Sequence, residues 1–159
     1  MAKALEIPDL DADTRFREAA ARAVEVRARE LFEQADGVLD LDQTDPVHDM
    51  RVASRRLRAV LEIFAPCFPK RQLRSALRDV RQLADSLGER RDPDVAITSL
   101  EQLGASFTSE DSPGLDSLTA ELSSERRSAN ERLAAALEEA QRGGLEVRLL
   151  ALAAEARRT

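Results

Sequence analysis

The sequence predicts an all-α protein, an antiparallel bundle of helices, and three observations support this prediction. Apolar residues recur at spacings of three and four over long stretches, as they do on the buried side of an amphipathic helix. The alternating pattern of a half-buried strand is absent from the 159 residues. Alanine, leucine, arginine and glutamate dominate a composition that is 43% hydrophobic and 34% charged, which is typical of a helical protein that is soluble in water.

The N-terminal part predicts a short flexible segment followed by one domain. Residues 1–13 contain Pro8 and several aspartates and are expected to be flexible, and residues 14–159 are expected to form a single helical domain. The first helix is predicted from about Thr14 to Gln34, where an apolar stripe runs along one side. Its arginines are expected to form a solvated face, namely Arg15, Arg17, Arg22, Arg27 and Arg29.

The middle of the chain predicts a pair of helices joined by a short turn. Asp45 and Pro46 are a typical N-cap and first helical residue, so the second helix should start there and continue to about residue 64. The prolines in segment 66–69 should end it, and a third helix is predicted over residues 70–87. Because the connection is short, the two helices should lie antiparallel and side by side.

Two further start and stop signals follow the third helix. Gly88 is a plausible residue at which that helix stops. Asp92 and Pro93 repeat the cap-and-proline pattern, so a separate helix is predicted from there to about Leu103.

The C-terminal part predicts a loop and two more helices. Residues 104–114 are rich in Gly, Ser, Asp and Pro and are expected to form the loop. A long helix is predicted over residues 115–141, and the pair Gly143 and Gly144 should break it. A final apolar helix should occupy residues 145–157.

The second and third helices each carry one apolar and one basic side. On the second helix the apolar arc consists of Met50, Ala53, Leu57, Val60, Leu61 and Phe64. Its basic arc consists of His48, Arg51, Arg55 and Arg58. The third helix repeats the arrangement with Lys70, Arg71, Arg74, Arg78 and Arg81. Like charges on successive turns repel one another, so such rows are expected to face an anion.

The distribution of charge is more informative than its total, which is −6. Residues 48–91 contain eleven Arg or Lys and five Asp or Glu, a balance of +6, which leaves −12 for the remainder. Arginine donates paired hydrogen bonds to phosphate oxygens, and a strip of arginines with few aromatic residues suits a flexible polyphosphate chain. The alternative is that both rows are ordinary solvated helix faces.

Two motifs in this region resemble the signatures of the CHAD family, the conserved histidine α-helical domain. The first is His48-x-x-Arg51-x-x-x-Arg55-Arg56-Leu57-Arg58, and the second is the segment 87–95, Leu-Gly-Glu-Arg-Arg-Asp-Pro-Asp-Val. The resemblance implies an all-helical domain that binds inorganic polyphosphate through a basic surface. With the basic rows it gives the candidate polyphosphate-binding residues His48, Arg51, Arg55, Arg56, Arg58, Lys70, Arg74, Arg78, Arg81 and Arg91.

The chain departs from the family in one respect. A CHAD domain contains two similar bundles, each with its own signature helix, whereas the C-terminal part of this chain has no second His and no second Arg-Arg-Leu-Arg string. The resemblance therefore implies one half of a CHAD domain, and a homodimer is predicted to supply the other half. The expected contact is the last helix, through Leu145, Leu149, Leu150 and Leu152.

Several roles remain open for the candidate residues. His48 could contact phosphate, occupy a surface position without a role, ligate a metal or accept a phosphoryl group, and the last two are disfavoured for a lone histidine. Arg91 is either a ligand contact or, with Asp92, part of a helix start. Cys67 is the only cysteine, so no internal disulfide is expected.

The predicted function is non-enzymatic polyphosphate binding, with no cofactor and no metal. No nucleophile–base or paired-carboxylate constellation can be assembled from the sequence. The alternatives are a nucleic-acid-binding protein and a scaffold whose basic face meets an acidic partner. Without a membrane-spanning stretch or a signal peptide, the expected location is the cytoplasm, at polyphosphate granules.

Overall fold

The computed structural model describes residues 3–158, which contain five α-helices and no β-strand. The helices are α1 (Phe16–Glu33), α2 (Asp45–Ile63), α3 (Lys70–Gly104), α4 (Ser112–Arg142) and α5 (Leu145–Arg158). One turn of 3-10 helix, Ala65–Cys67, joins α2 to α3. The prediction of an all-α helical bundle is confirmed.

Consecutive helices pack against each other, and the last helix closes the bundle. α2 lies between α1 and α3, and α4 packs along α3. α5 returns to α1 and also contacts α3 and α4. The core is built mainly from leucine, valine and alanine, and its largest fully buried side chains include Leu31, Met50, Leu57, Leu61, Leu83, Leu87, Leu133, Leu145, Leu149 and Leu152.

Local signals place most helix ends within a few residues of their predicted positions. α2 starts at Asp45 with Pro46 in its first turn, one residue earlier than predicted, so that Thr44 rather than Asp45 is the N-cap. Gly144 separates α4 from α5 with a φ of +61°, a left-handed conformation that residues with a Cβ rarely adopt. Residues 1 and 2 of the predicted flexible segment lie outside the described residues, and Leu5 of that segment is hydrogen-bonded to α1 through Arg27 and Glu30.

The predicted break after residue 87 is wrong, because α3 continues through it to Gly104 as a helix of 35 residues. Gly88 is not among the glycines with positive φ, so it does not adopt the geometry of a helix stop. Pro93 is buried inside the helix, and Asp92 is a helical residue rather than a cap. The loop between α3 and α4 consists of residues 105–111 and is shorter than the predicted loop of residues 104–114.

Tertiary packing explains why α3 does not stop. Its buried positions follow alternating spacings of three and four residues without interruption, at Leu73, Ala76, Val80, Leu83, Leu87, Arg90, Asp94 and Ile97. A proline inside a helix removes one backbone hydrogen bond. The ion pair between Arg90 and Asp94, four residues apart, spans the turn that contains Pro93, and α4 covers it. The buried stripe therefore keeps the helix intact across the proline.

The last helix does not offer the surface that was predicted for a dimer. Leu145, Leu149 and Leu152 have at most 1% of their surface exposed because they pack inside the bundle, with α1 as the main neighbour of α5. Of the four predicted contact leucines only Leu150 is exposed, at 44%. The prediction that this set forms a dimer contact is wrong for the three buried leucines.

Candidate functional site

The basic rows of α2 and α3 face each other along an antiparallel seam. Arg81 Nη2 donates a hydrogen bond to Glu62 Oε1 at 2.9 Å, which sets the end of α2 beside the first turns of α3. Nearer the start of α2, Arg51 Nε lies 3.9 Å from the point where a Cβ on Gly88 would be. From Glu62 back to Arg51 on α2, the neighbour on α3 moves forward from Arg81 to Gly88, as in an antiparallel pair. The seam is about 20 Å long from His48 to Glu62, at about 1.5 Å per helical residue.

A groove of about 1340 Å³ opens beside the seam on α3, and we call it the α3 groove. Its floor is apolar, with buried Leu73, half-buried Leu77 and the turn residues Ala65 and Pro66. Its basic lining consists of Lys70, Arg71, Arg74, Arg78 and Arg81. Its acidic lining residues, Asp85 and Glu89, lie further along the helix. Cationic charge is thus concentrated at the N-terminal end of the α3 groove.

A second, smaller depression of about 390 Å³ lies on α2, and we call it the α2 patch. It is lined by Val52, Arg55, Arg56, Arg58, Ala59 and Glu62. Arg56 is tied to the core, because its Nη1 donates at 2.7 Å to the buried carboxylate of Glu30 on α1. Arg55 is exposed and Arg58 is half-buried. The α2 patch and the α3 groove meet at Glu62, which contacts both Arg58 and Arg81.

The candidate cations differ in their partners. Arg58 and Arg81 share Glu62, and Arg78 Nε pairs with Asp79 at 3.0 Å. Seven basic residues along the seam and groove make no hydrogen bond or ion pair through their side chains within residues 3–158: His48, Arg51, Arg55, Lys70, Arg71, Arg74 and Arg91. These seven side chains leave their hydrogen-bond donors available to a ligand.

Asp79 is the acidic residue most firmly held near the α3 groove. Arg148 of α5 donates to Asp79 Oδ2 at 2.5 Å and to Ser75 Oγ at 3.0 Å, which ties α5 to α3. Burial raises the pKa of Asp79, but the hydrogen bonds from Arg148 and Arg78 outweigh it and leave the pKa below its ordinary value. Asp79 is therefore a charged link between helices at the edge of the groove.

Comparison with protein families decides the classification. The family model described as the CHAD domain matches residues 22–159, nearly the whole chain. The chain belongs to the CHAD family. Searches of curated proteins and of solved structures gave no significant match.

The segment 87–95, which resembles the second CHAD signature, is partly buried: Arg90 and Asp94 lie in the protein interior, whereas Glu89, Asp92 and Val95 are exposed. Arg90 has no exposed surface, and it donates to Asp94 Oδ2 at 2.6 Å and to Asn130 Oδ1 of α4 at 2.9 Å. Asn130 Nδ2 in turn donates to the carbonyl of Leu39 in the α1–α2 connection. Arg126 of α4 approaches Asp94 Oδ1 at 3.6 Å. This buried cluster joins α3, α4 and the connection before α2, so it supports the helix that carries the groove.

The cluster is incompletely satisfied. Arg90 Nη2, Asp94 Oδ1 and Arg126 Nε are buried side-chain atoms without a hydrogen-bond partner among the described residues. Buried polar groups without partners cost stability, so the arrangement holds only while both members of the Arg90–Asp94 pair are present.

Sequence reasoning missed several residues of this CHAD domain. Arg90 was left out of the candidate set in favour of its neighbour Arg91, which is half-buried. The signal that identifies Arg90 is its position in the three-and-four spacing that begins at Leu73. Arg27, expected on a solvated face, is buried, and its Nη1 pairs with Glu30 at 2.6 Å. Arg71 was in the predicted basic row but not in the candidate set, although it lines the α3 groove.

Two structural searches bear on other kinds of site. Within residues 3–158 no group of three or more His, Cys, Asp or Glu side chains is arranged to hold a metal ion. None of the helices in the described part of the chain has the length and apolarity needed to cross a membrane.

Proposed function

We propose that this chain binds inorganic polyphosphate without catalysing a reaction, along the α2–α3 seam and the α3 groove. The CHAD family is associated with polyphosphate-related proteins. The observation that carries the proposal is the set of cations in the α2 patch and the α3 groove that make no ion pair in the described chain, Arg55, Lys70, Arg71 and Arg74 among them. Guanidinium groups bind phosphate oxygens through paired, charge-assisted hydrogen bonds.

The acidic surface outside the seam favours binding of a polyanion at one localised site. Elsewhere on the bundle arginines are neutralised by neighbours, as where Arg157 of α5 pairs with Glu18 and Glu25 of α1. A polyanion is therefore attracted to the seam and repelled by much of the remaining surface, which carries most of the acidic residues. This contrast supports a localised site.

The test is a calorimetric titration of the protein with long-chain polyphosphate. Arg55→Glu places a carboxylate on the α2 patch and should weaken binding by at least about 2 kcal/mol, because hydrogen bonds to charged groups are worth roughly that much. Arg127→Glu is the control, since Arg127 is exposed on α4 and lies outside both depressions. Affinity should also fall steeply with salt, by analogy with nucleic acids. Equal weakening by both reversals would show that binding is diffuse and would contradict the proposal.

An acidic protein partner is the second candidate, because the floor of the α3 groove is apolar. The floor offers an apolar surface to a ligand, through Leu73, Leu77, Ala65 and Pro66. Such a surface suits an amphipathic acidic helix better than a phosphate chain. Competition separates the candidates. Polyphosphate should be displaced poorly by excess DNA or by an acidic helical peptide, whereas efficient displacement by either would favour nucleic acid or a protein partner.

We infer further that the protein is a homodimer in the cytoplasm, located at polyphosphate granules. The dimer is supported by the apolar side chains that remain exposed on α5, Val147 at 71% and Leu150 at 44%. Light scattering over a range of concentrations should give twice the monomer mass, and a monomer at every concentration would remove this part of the proposal. Fluorescence microscopy of the tagged protein tests the location.

A further inference from the structure

Glu62 is an acidic residue whose ion-pair partners both belong to the basic surface. Its Oε1 accepts a hydrogen bond from Arg81 Nη2 of the α3 groove at 2.9 Å and lies 3.8 Å from Arg58 Nε of the α2 patch. All three side chains are between 43% and 55% exposed. Glu62 therefore occupies, with a carboxylate, the point at which the two basic depressions meet.

The other carboxylates near the groove are placed differently. Asp79 is held by Arg148 of α5, and Glu89 pairs with Arg132 of α4 at 2.9 Å, so both have partners outside the basic surface. Asp85 lines the groove without an ion pair in the described chain. Glu62 alone among these four neutralises two cations of the proposed site.

The ion pairs of Glu62 are weak, but the fold keeps the carboxylate close to both arginines. Exposed ion pairs contribute only about 0–1 kcal/mol, so a ligand that makes several charge-assisted hydrogen bonds can replace the carboxylate. Glu62 belongs to the same folded chain as both arginines, so it competes with an anion at a high effective concentration. A ligand that uses Arg58 and Arg81 must displace the carboxylate, and the cost of that step is subtracted from its binding free energy.

We propose that Glu62 is an internal competitor that a phosphate chain must displace in order to bind across both depressions. This inference rests on the proposed function and names a residue that limits the affinity of the site. In the free protein Glu62 pairs with Arg58 and Arg81. In the complex the phosphate chain takes both arginines, and the carboxylate turns to solvent.

The test uses Glu62→Gln, which removes the charge and keeps the size of the side chain. Long-chain polyphosphate is titrated into the parent and into the variant. Removal of the competitor should strengthen binding about fivefold, because the ligand no longer has to break an exposed ion pair. Glu101→Gln is the control, since Glu101 is exposed on the same helix as Arg81 and lies outside both depressions.

The outcomes separate this inference from the proposed function. If the parent binds long polyphosphate but Glu62→Gln matches the parent or the Glu101→Gln control, Glu62 is not a competitor and only this inference fails. If neither the parent nor the variant binds polyphosphate, the proposed function fails and this inference fails with it. Thermal unfolding followed by circular dichroism should show all three proteins folded, because exposed substitutions usually change stability by less than about 0.5 kcal/mol.

Discussion

In the first turns of α3, Lys70, Arg71 and Arg74 are exposed and make no ion pair within the described chain, whereas Arg90 on the same helix is fully buried and pairs with Asp94. Residues 70–87 contain four arginines, one lysine and two acidic residues, whereas residues 88–104 contain two arginines and four acidic residues. The acidic and polar neighbours of each arginine decide its role. Arg90 has an aspartate four residues later and Asn130 of α4 beside it. Lys70, Arg71 and Arg74 have neither.

The length of α4 explains the difference. α4 runs antiparallel to α3, with Arg126 beside Asp94 and Arg132 beside Glu89. It ends at Arg142, and Gly143 lies in the same depression as Arg78. The first turns of α3 extend beyond this point, so α4 supplies no acidic residues to them. The same residue type therefore stabilises the fold where α4 covers it and remains available to a ligand where α4 has ended.

The largest effect is expected from the buried half. Arg90→Ala leaves Asp94 as a buried charge without its main partner, and the free energy of unfolding should fall by about 3–5 kcal/mol. Chemical denaturation measures this loss. Arg74→Ala is the matched variant on the exposed half and should cost less than about 0.5 kcal/mol. Similar losses for the two variants would show that the halves of α3 do not differ as described.

The exposed half should control binding instead. Arg74→Glu should weaken polyphosphate binding by about 2 kcal/mol, roughly thirtyfold, because it replaces a donor to phosphate with a like charge. Its unfolding free energy should stay near that of the parent. Arg29→Glu is the control, since Arg29 is exposed on α1, away from the α3 groove. Undiminished binding by Arg74→Glu would place the ligand elsewhere.

A smaller effect is expected at the edge of the groove. Asp79→Asn removes the charged link to Arg148 and should lower stability by about 1 kcal/mol at neutral pH. The folded-state pKa of Asp79 lies below its ordinary value of 3.8, so its contribution is fully present well above that pH and is lost as the pH falls through the lowered pKa. Urea denaturation at several pH values should show the parent and the variant converging below about pH 4. A difference that does not change with pH would contradict an electrostatic origin.

The smallest effect is expected at His48. His48 is half-buried, and its side chain makes no hydrogen bond within residues 3–158. His48→Ala should weaken binding of long-chain polyphosphate about twofold, because the imidazole is one donor among many along the seam. Calorimetric titration of both proteins measures the change. Binding equal to that of the parent would assign His48 a structural role.

Local signals in the sequence were sufficient for most of the fold. Asp45 and Pro46 mark the start of α2, and Gly144 marks the end of α4, because cap and turn residues act over a few positions. The same kind of signal failed at Gly88 and Pro93, where packing against α4 keeps α3 helical. A stop signal is inferred from adjacent residues in the sequence. It does not take account of α4, whose Asn130 contacts Arg90 from 40 residues away in the sequence.

The arrangement of the basic residues in rows on two neighbouring helices was predictable, but their pairing was not. Arg58 of the α2 row and Arg81 of the α3 row both contact Glu62, in agreement with adjoining antiparallel helices. Arg56 pairs with Glu30, and Arg90 pairs with Asp94. These pairings depend on which helix covers each position. Helical spacing assigns a residue to a face, whereas tertiary contacts decide whether its charge remains available.

The most direct test of the central claim is arginine-specific chemical modification, read by mass spectrometry, with and without long-chain polyphosphate. The account predicts that the ligand protects Arg55 on α2 and Arg74 and Arg78 on α3 from modification. It predicts that Arg29 and Arg127, exposed on α1 and α4, react at the same rate in both samples. Equal protection of all five arginines, or protection of Arg29 and Arg127 alone, would contradict the claim that the exposed half of α3 and the facing side of α2 form the binding surface.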